Sequence, residues 1–265
     1  MDKARSLIIG VLNITPDSFS DGGSYLDPQM AVEHAWDLVS DGADIIDIGA
    51  ESTRPGSLPV DADEEWRRLE PVLAALAQQQ PKAQVSLDTY KPKIMLRALD
   101  YPVHIINDIR GGADRPTLEK IARRGLTYLA MHMHRDPTNM QLAPLDGEEA
   151  LRKMADFYQA TQTQLLAAGF TKDRIWLDPG IGFGKTDRAN LLLMKQALEL
   201  ASKQAIVLGI SRKSFIGRLL AIENPKDRDP PSKMLELGFL FAGVRGIRTH
   251  DVARLRELRD LLTLS

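Results

Sequence analysis

The chain of 265 residues contains no cysteine. That absence excludes disulfide bonds, thiolate metal sites and a thiol nucleophile. Neither sign of charge is in excess, because the formal net charge is −2 and the sequence pI is about 6.2. No overall positive field therefore exists to attract nucleic acid or an anionic membrane. An anionic small molecule would have to be bound by local groups.

Long apolar runs are also missing. No stretch approaches the roughly 18 apolar residues that a membrane span needs. The apolar run near the N-terminus is too short for a signal peptide with a cleavage site. We therefore expect a cytoplasmic protein that spans no membrane. Hydrophobic residues still make up 43% of the chain, which is enough for a full core.

Short apolar runs alternate with helical patterns along the whole chain. Val, Ile and Leu dominate most runs, as expected for parallel strands covered on both faces. Strands are predicted at Leu7–Leu12, Ile45–Ile48, Gln84–Leu87, His104–Ile106, Leu126–Met131, Ile175–Leu177, Ala205–Gly209 and Arg245–Ile247. Helices are predicted over residues 27–42, 61–79, 148–168, 188–202 and 253–262.

About eight strand–helix units in a chain of this length predict a (β/α)8 TIM barrel, an α/β fold, in a single domain of residues 1–265. A doubly wound open sheet is the alternative. Such a sheet usually carries a glycine-rich turn after its first strand. Here that position is Asn13-Ile14-Thr15-Pro16, so we favour the barrel.

Polar residues follow every predicted strand, at the end where barrel enzymes carry their active sites. A lone Asp after a strand is more often a helix N-cap than a catalytic group. For Asp47, structural and functional roles are equally supported. We favour capping for Asp108, Asp173 and Asp251. Recurrence at equivalent strand ends favours a shared site for Asp88, Asn107 and Asp178.

Basic residues gather after the last two predicted strands. The segment Ser211–Ser214 is predicted to begin a helix, whose free N–H groups suit a carboxylate or phosphate. Arg248 and His250 lie two residues apart, so both can face one ligand. Pairing with nearby carboxylates is the alternative, but convergence of several basic groups favours anion binding.

Two other patterns carry weaker signals. The stretch Asp178–Lys185 has three glycines at alternate positions, which let the backbone approach a ligand or a neighbouring loop. It lacks the spacing of a phosphate-binding P-loop. His132 and His134 share a strand face, but no third ligand is spaced to join them. We expect a structural role for them rather than zinc binding.

Eight segments together resemble the dihydropteroate synthase family, in the family's order and from end to end of the chain. The most distinctive are the stretches that begin at Gly10, Asp47, Asp178 and Gly209. The matching segments span residues 10–23, 47–56, 86–91, 107–109, 131–133, 178–185, 209–217 and 248–252.

The resemblance implies an enzyme, a transferase of folate biosynthesis. It would condense 6-hydroxymethyl-7,8-dihydropterin pyrophosphate with p-aminobenzoate, giving 7,8-dihydropteroate and pyrophosphate. The implied route is dissociative: pyrophosphate leaves the pterin CH2 first, and the amine then attacks. Asp88 would stabilise the positive charge. The loops Thr15–Gly23 and Glu51–Pro59 would close over the site, with Gly22-Gly23 and Pro55-Gly56 as hinges.

The resemblance also implies residue roles, with Asp88, Lys213 and Arg248 as the catalytic set. The pterin would be bound by Asp88, Asn107, Asp178, Lys213 and Arg248. Pyrophosphate would meet Asn13, Arg248 and His250, with Mg²⁺ held at Asn13. The p-aminobenzoate site would comprise Phe19, Thr53, Pro55, Lys213 and Ser214.

The sequence departs from the family pattern in two places. His134 and Arg135 stand where many relatives have Gln and Gly, which leaves the detail of that loop open. The segment 230–243 lacks the expected Ala-rich helix and is richer in bulky apolar residues. In the family this region helps build the homodimer. We still expect a homodimer, with altered packing. The absence of an insertion beside the p-aminobenzoate pocket predicts sulfonamide competition.

Alternative functions remain on the same fold. A corrinoid-linked methyltetrahydrofolate methyltransferase shares the pterin carboxylates but does not need the basic groups near Lys213 and Arg248. A non-catalytic pterin-binding barrel would be free to lose Asn13, Asp88 or Lys213, and all three are present. A generic phosphate-binding barrel is the faintest option, because it favours glycine-rich loops after strands seven and eight.

Overall fold

The computed structural model describes residues 5–15, 28–53 and 56–263. Eight parallel strands form a closed barrel, with β1 also paired to β8. The strands are β1 Leu7–Asn13, β2 Ile45–Gly49, β3 Gln84–Asp88, β4 Ile105–Asp108, β5 Thr127–Met131, β6 Ile175–Asp178, β7 Ala205–Gly209 and β8 Gly246–Thr249. The prediction of a (β/α)8 barrel is confirmed.

Helices follow the strands and cover the outside of the barrel. In the described part they are α1 Pro28–Ser40, α2 Ala62–Gln79, α3 Pro92–Ala98, α4 Arg115–Arg123, α5 Gly147–Ala167, α6 Asp187–Leu200, α7 Ser214–Leu220, α8 Asp229–Ala242 and α9 Val252–Thr263. The five predicted helices agree within two residues at each described end. Asp27, the predicted first N-cap, lies outside the described residues. None of the described helices is long and apolar enough to cross a membrane.

One helix boundary was predicted wrongly. The segment after β7 does not begin a helix at Ser211, because α7 begins at Ser214 and has only seven residues. Arg212 has a left-handed backbone conformation, with φ 59°, which prevents a continuous α-helix from Ser211. Lys213 therefore lies at the N-cap position rather than within the helix. Any anion site there depends on side chains more than on a helix terminus.

Inside the barrel, an apolar layer underlies a polar one. The apolar layer comprises Ile9, Ile45, Ile105, Leu129, Trp176 and Val207. Successive residues of a strand face opposite sides, so a residue two places further along returns to the interior. Asp47 follows Ile45 in this way, Asn107 follows Ile105, and Asp178 follows Trp176. The fold thus brings these polar side chains to one end of the barrel.

Candidate active site

Asp47 connects three strands in the polar layer. Its Oδ1 accepts a hydrogen bond from Ser86 Oγ at 2.6 Å, and its Oδ2 accepts one from Asn107 Nδ2 at 2.9 Å. Arg248 Nη1 lies 3.5 Å from the same Oδ2. The carboxylate is only 3% exposed. Asp47 therefore fixes the orientation of two predicted site residues, Asn107 and Arg248, from the barrel interior.

Arg248 is paired with carboxylates across the barrel. Its Nη2 donates to Asp178 Oδ2, and Asp178 Oδ1 accepts from the backbone N–H of Gly180 at 2.7 Å. Burial opposes the charge of the guanidinium, but Asp178, Asp47 and Asp88 outweigh it and raise the pKa of Arg248. The residue thus stays cationic, and Asp178 holds it beside the strand ends.

Asp88 ends β3 in register with Asn107 of β4 and Gly49 of β2. Burial and the negative charge of Asp47 raise its pKa well above the usual carboxyl range, with Arg248 acting in the opposite direction. A Cβ at Gly49 would lie 3.3 Å from that of Asp88. The missing side chain at Gly49 therefore leaves room beside the carboxylate.

Two buried polar atoms of the site have no hydrogen-bond partner among the described residues. They are Asn107 Oδ1, an acceptor, and Arg248 Nε, a donor. Buried polar atoms in native proteins are normally satisfied. An unpaired acceptor and an unpaired donor, set among carboxylates, suit a ligand that carries both kinds of group.

The glycine-rich stretch after β6 forms one wall of the site. Lys213 Nζ donates to the carbonyl of Ile181 and lies 4.5 Å from the centre of the Phe183 ring. Gly182, at φ 86°, approaches the Lys213 stem so closely that a Cβ would lie 3.3 Å from Cδ. Burial lowers the pKa of Lys213 to about 7, although Asp178 opposes the shift.

Lys185 supports this wall from behind. Its Nζ donates to the carbonyls of His132, Gly180 and Phe183, at 3.0, 2.9 and 2.9 Å. These bonds use all three donors of the ammonium, and the residue is 2% exposed. Lys185 therefore ties the glycine-rich stretch to the end of β5. The sequence interpretation missed this role, since nothing in the motif shows which way the lysine points.

The loop after β2 is held at its base by an ion network that sequence analysis also missed. Glu51 accepts from the N–H of Val60 at 2.9 Å, from Tyr90 Oη at 2.9 Å and from Lys91 Nζ at 2.5 Å. Lys91 also pairs with the buried Glu65. The network closes the loop that carries Thr53, which is itself half-buried.

The remaining predicted ligand residues lie at the rim. His250 is exposed, and its N–H and Nδ1 lie 3.3 and 3.0 Å from Ser211 Oγ. Ser214 is exposed and accepts a hydrogen bond from Arg218 at 3.2 Å. Asn13 ends β1 in register with Gly49. Phe19 and Pro55 lie outside the described residues.

The three aspartates assigned to capping have different local roles. Asp251 caps α9, accepting from the N–H of Arg254 at 3.2 Å. Asp108 caps no helix; it accepts from Tyr128 Oη at 2.7 Å and from the N–H of Arg110 at 2.8 Å. Asp173 lies within a short 3₁₀ helix rather than before it. The capping interpretation is thus right for Asp251 and wrong for the other two.

His132 is buried and packs on the ring of Phe157, with centroids 5.2 Å apart. Burial lowers its pKa to about 3, helped by the charge of Lys185. The imidazole is therefore neutral and forms part of the packing behind the glycine-rich stretch.

Comparison with known proteins agrees with this geometry. The family model described as "Pterin binding enzyme" matches residues 9–250. The chain belongs to the pterin-binding enzyme family. A dihydropteroate synthase of Neisseria meningitidis serogroup C is 40% identical over 257 residues, which cover 95% of this chain and 89% of that protein.

Solved structures of family members have the same architecture. Yersinia pestis dihydropteroate synthase in complex with a sulfonamide drug superposes with a TM-score of 0.90 at 37% identity, covering 100% of this chain and 95% of that one. Xanthomonas albilineans dihydropteroate synthase in complex with 7,8-dihydropteroate gives 0.86 at 31% identity, covering 100% and 95%.

Proposed function

We propose that this chain is a dihydropteroate synthase. It would condense 6-hydroxymethyl-7,8-dihydropterin pyrophosphate with p-aminobenzoate and release pyrophosphate. The observation that carries the proposal is the buried polar layer, where the unpaired Asn107 Oδ1 and Arg248 Nε lie among carboxylates. A reduced pterin has the flat array of donors and acceptors that such a layer can recognise.

Pterin recognition would use the inner face of the strand ends. Asp88 and Asp178 accept hydrogen bonds from the amino and ring N–H groups, and Asn107 can both donate and accept. Arg248 stacks on the ring face, where a planar guanidinium is well suited. Lys213 would contact the pterin from its place against the glycine-rich stretch.

The charge arrangement also favours the proposed route. The C–O bond to pyrophosphate breaks with its electron pair on the leaving group, so the pterin CH2 becomes cationic. The repulsion between Asp88 and Asp47 is relieved as positive charge develops nearby. The amine of p-aminobenzoate then forms the C–N bond and loses a proton to solvent.

Asn13, Arg248 and His250 would bind the pyrophosphate. An oxygen-bearing side chain at the end of β1 fits Mg²⁺, which often takes one or two protein ligands together with waters and substrate phosphates. The described residues include no cluster of three acidic or histidine side chains that could bind a metal alone. Asn13 and the substrate phosphates would hold the ion, which would supply positive charge to the leaving group.

The second substrate would bind at the rim. We assign p-aminobenzoate to Thr53, Lys213 and Ser214, with Phe19 and Pro55 contributed by the two loops. Ser214 would give up its hydrogen bond with Arg218 to meet the carboxylate. Because one structural relative was solved with a sulfonamide drug, we further propose that sulfonamides compete with p-aminobenzoate here. Unchanged turnover at high sulfonamide concentration would reject that proposal.

Incubation with the pterin pyrophosphate, p-aminobenzoate and Mg²⁺ tests the function directly. We expect dihydropteroate and pyrophosphate in equal amounts, and no product when Mg²⁺ is chelated. Absence of product from folded protein would overturn the proposal. A methyltransferase would instead consume methyltetrahydrofolate, so that substrate in place of the pterin pyrophosphate serves as the control.

We also propose a single domain, a cytoplasmic location and a homodimer. The single domain is supported by one closed barrel that uses every described strand. The cytoplasmic location is the one expected for a folate-pathway enzyme of this family. The homodimer is argued below from an exposed face of α8.

A further inference from the structure

A buried polar cluster lies on the outer side of β8, away from the barrel interior. It consists of Lys233 and Glu236 on α8 and Thr249 on β8, and we name it the α8 triad. Lys233 Nζ donates to Glu236 Oε2 at 2.7 Å and to Thr249 Oγ1 at 2.6 Å. Thr249 Oγ1 in turn lies 3.4 Å from Glu236 Oε2. Glu236 and Thr249 are fully buried, and Lys233 is 7% exposed.

This cluster is a costly way to stabilise a helix against a strand. A buried ion pair loses hydration that its mutual attraction does not always restore, and apolar residues of similar size often serve as well or better. Glu236 Oε1 also lacks a hydrogen-bond partner among the described residues. Packing alone therefore does not account for the triad.

Thr249 links the triad to the candidate site. It lies between Arg248 and His250, and its Oγ1 also accepts from the N–H of Asp251 at 3.4 Å. Side chains alternate along a strand, so Thr249 faces α8 while Arg248 faces the barrel interior. The triad thus holds the backbone of residues 249–251 from outside, opposite the carboxylates that hold Arg248 from inside.

We infer that Lys233, Glu236 and Thr249 are positioning residues that set the orientation of Arg248 and His250 for the diphosphate group of the substrate. The inference rests on the proposed function, because it takes those two side chains as the pyrophosphate ligands. It assigns the triad no contact with substrate. The triad affects substrate binding only at the anion-binding end of the site, away from p-aminobenzoate.

Two kinds of variant test whether the triad positions Arg248 and His250 or only packs α8 against β8. Lys233→Met with Glu236→Leu replaces the ion pair by apolar residues of similar size, and Thr249→Val removes one hydroxyl with little change in shape. Thr249→Ser restores that hydroxyl. The matched control is Arg254→Met with Glu257→Leu, an exposed pair with the same i,i+3 spacing on α9.

We expect the double variant to keep the wild-type melting temperature or exceed it, and Thr249→Val to lose a little stability, because the buried Lys233 Nζ loses one of its two acceptors. Their KM for the pterin pyrophosphate should rise roughly tenfold, and calorimetry with inorganic pyrophosphate and Mg²⁺ should show a similar loss of affinity. The KM for p-aminobenzoate should change less than about twofold. Thr249→Ser and the control pair should behave as wild type.

Wild-type KM and pyrophosphate affinity in Thr249→Val would overturn the inference, even if the double variant failed to fold. Equal rises in both KM values would also overturn it, since they indicate a general loosening of the barrel. Both results would leave the proposed function intact, because that proposal fails only if the wild-type protein makes no dihydropteroate.

Discussion

The carboxylate of Asp88 lies near that of Asp47, and this proximity has opposite consequences for folding and for catalysis. Because burial and Asp47 raise the pKa of Asp88, its ionised form is disfavoured in the folded state. We predict that Asp88→Asn leaves the free energy of unfolding at pH 7 unchanged or higher. Turnover should fall about 10²- to 10³-fold, since one preorganised charge is lost.

Urea denaturation and steady-state kinetics of the same preparation check both parts of this prediction. Ser57→Ala, in the loop after β2, serves as a control, because Ser57 Oγ donates to the backbone carbonyl of Ser52 at 2.5 Å and lies outside the polar layer of the barrel. Wild-type turnover in Asp88→Asn would contradict the role assigned to Asp88.

Lys213 gives a prediction about pH. Burial lowers the pKa of Lys213 in the folded protein to about 7, from the 10.5 of a lysine in water. Between those values the unfolded chain binds the proton and the folded protein does not, so stability rises with pH across this window. We predict that Lys213→Met flattens that rise. Burial and, to a lesser extent, the charge of Lys213 also lower the pKa of Lys185, so the contribution of Lys185 to the rise in stability should shrink in this variant as well.

Urea denaturation at pH 7, 8, 9 and 10 measures the effect as a change in slope. Lys195→Met on α6 is a suitable control, as that lysine is not in the site. An identical slope for wild type and Lys213→Met would show that Lys213 ionises normally in the folded protein.

Single-residue roles were predictable where strand alternation determines them. Asp88, Asn107 and Asp178 recur at equivalent strand ends, and the barrel brings all three to one place. Lys185 was not predictable, because its three carbonyl partners come from separate turns whose path depends on the fold. The capping rule was wrong for Asp108 and for Asp173 because the groups around each carboxylate are set by the fold, which sequence spacing does not show.

At the scale of elements, the glycine-rich stretch after β6 is shaped by close contacts. Gly180 has φ 63°, and a Cβ there would lie 2.0 Å from the carbonyl oxygen of His132. Gly56 has φ 82° but would meet nothing within 4 Å. We predict that Gly180→Ala costs more than about 3 kcal/mol of stability, and Gly56→Ala about 1 kcal/mol, from backbone strain alone.

Thermal and urea unfolding of the two variants measure the difference. Because Phe183 belongs to this stretch and Lys213 packs against it, Gly180→Ala should also weaken binding of the pterin in whatever fraction stays folded. Equal costs for the two glycines would show that the stretch can move away from β5, contrary to the contacts made by Lys185.

Element boundaries show what local sequence can and cannot predict. Strands and most long helices were predictable, since apolar runs and helical periodicity persist over many residues. The short helices α3 and α4 were not predicted, because seven to nine residues give little periodicity. The 14-residue α8 was not among the predicted helices either. The start of α7 was misplaced because Arg212 adopts a left-handed backbone that its residue type does not favour. Arg212 is held there by a bidentate pair with Asp229 of α8, at 2.8 Å for both bonds.

At the scale of the whole molecule, α8 presents different faces to the barrel and to solvent. Lys233 and Glu236 point to β8, whereas Met234 and Phe241 are 77% and 61% exposed. These two are seven residues apart and so share one helix face, with the exposed Gly238 between them. An exposed apolar stripe of this kind marks an interaction surface, and we assign it to the proposed homodimer.

We predict that Met234→Lys with Phe241→Lys shifts the protein from dimer to monomer at micromolar concentration, because the charges would be buried in the interface. Leu166→Lys on α5, where the native side chain is 41% exposed, should leave the dimer intact. Sedimentation velocity distinguishes these outcomes. A wild-type monomer at micromolar concentration would remove the dimer altogether, and a dimeric double variant would place the interface elsewhere. Since α8 also carries the triad behind β8, we expect the monomeric variant to bind pyrophosphate more weakly than wild type.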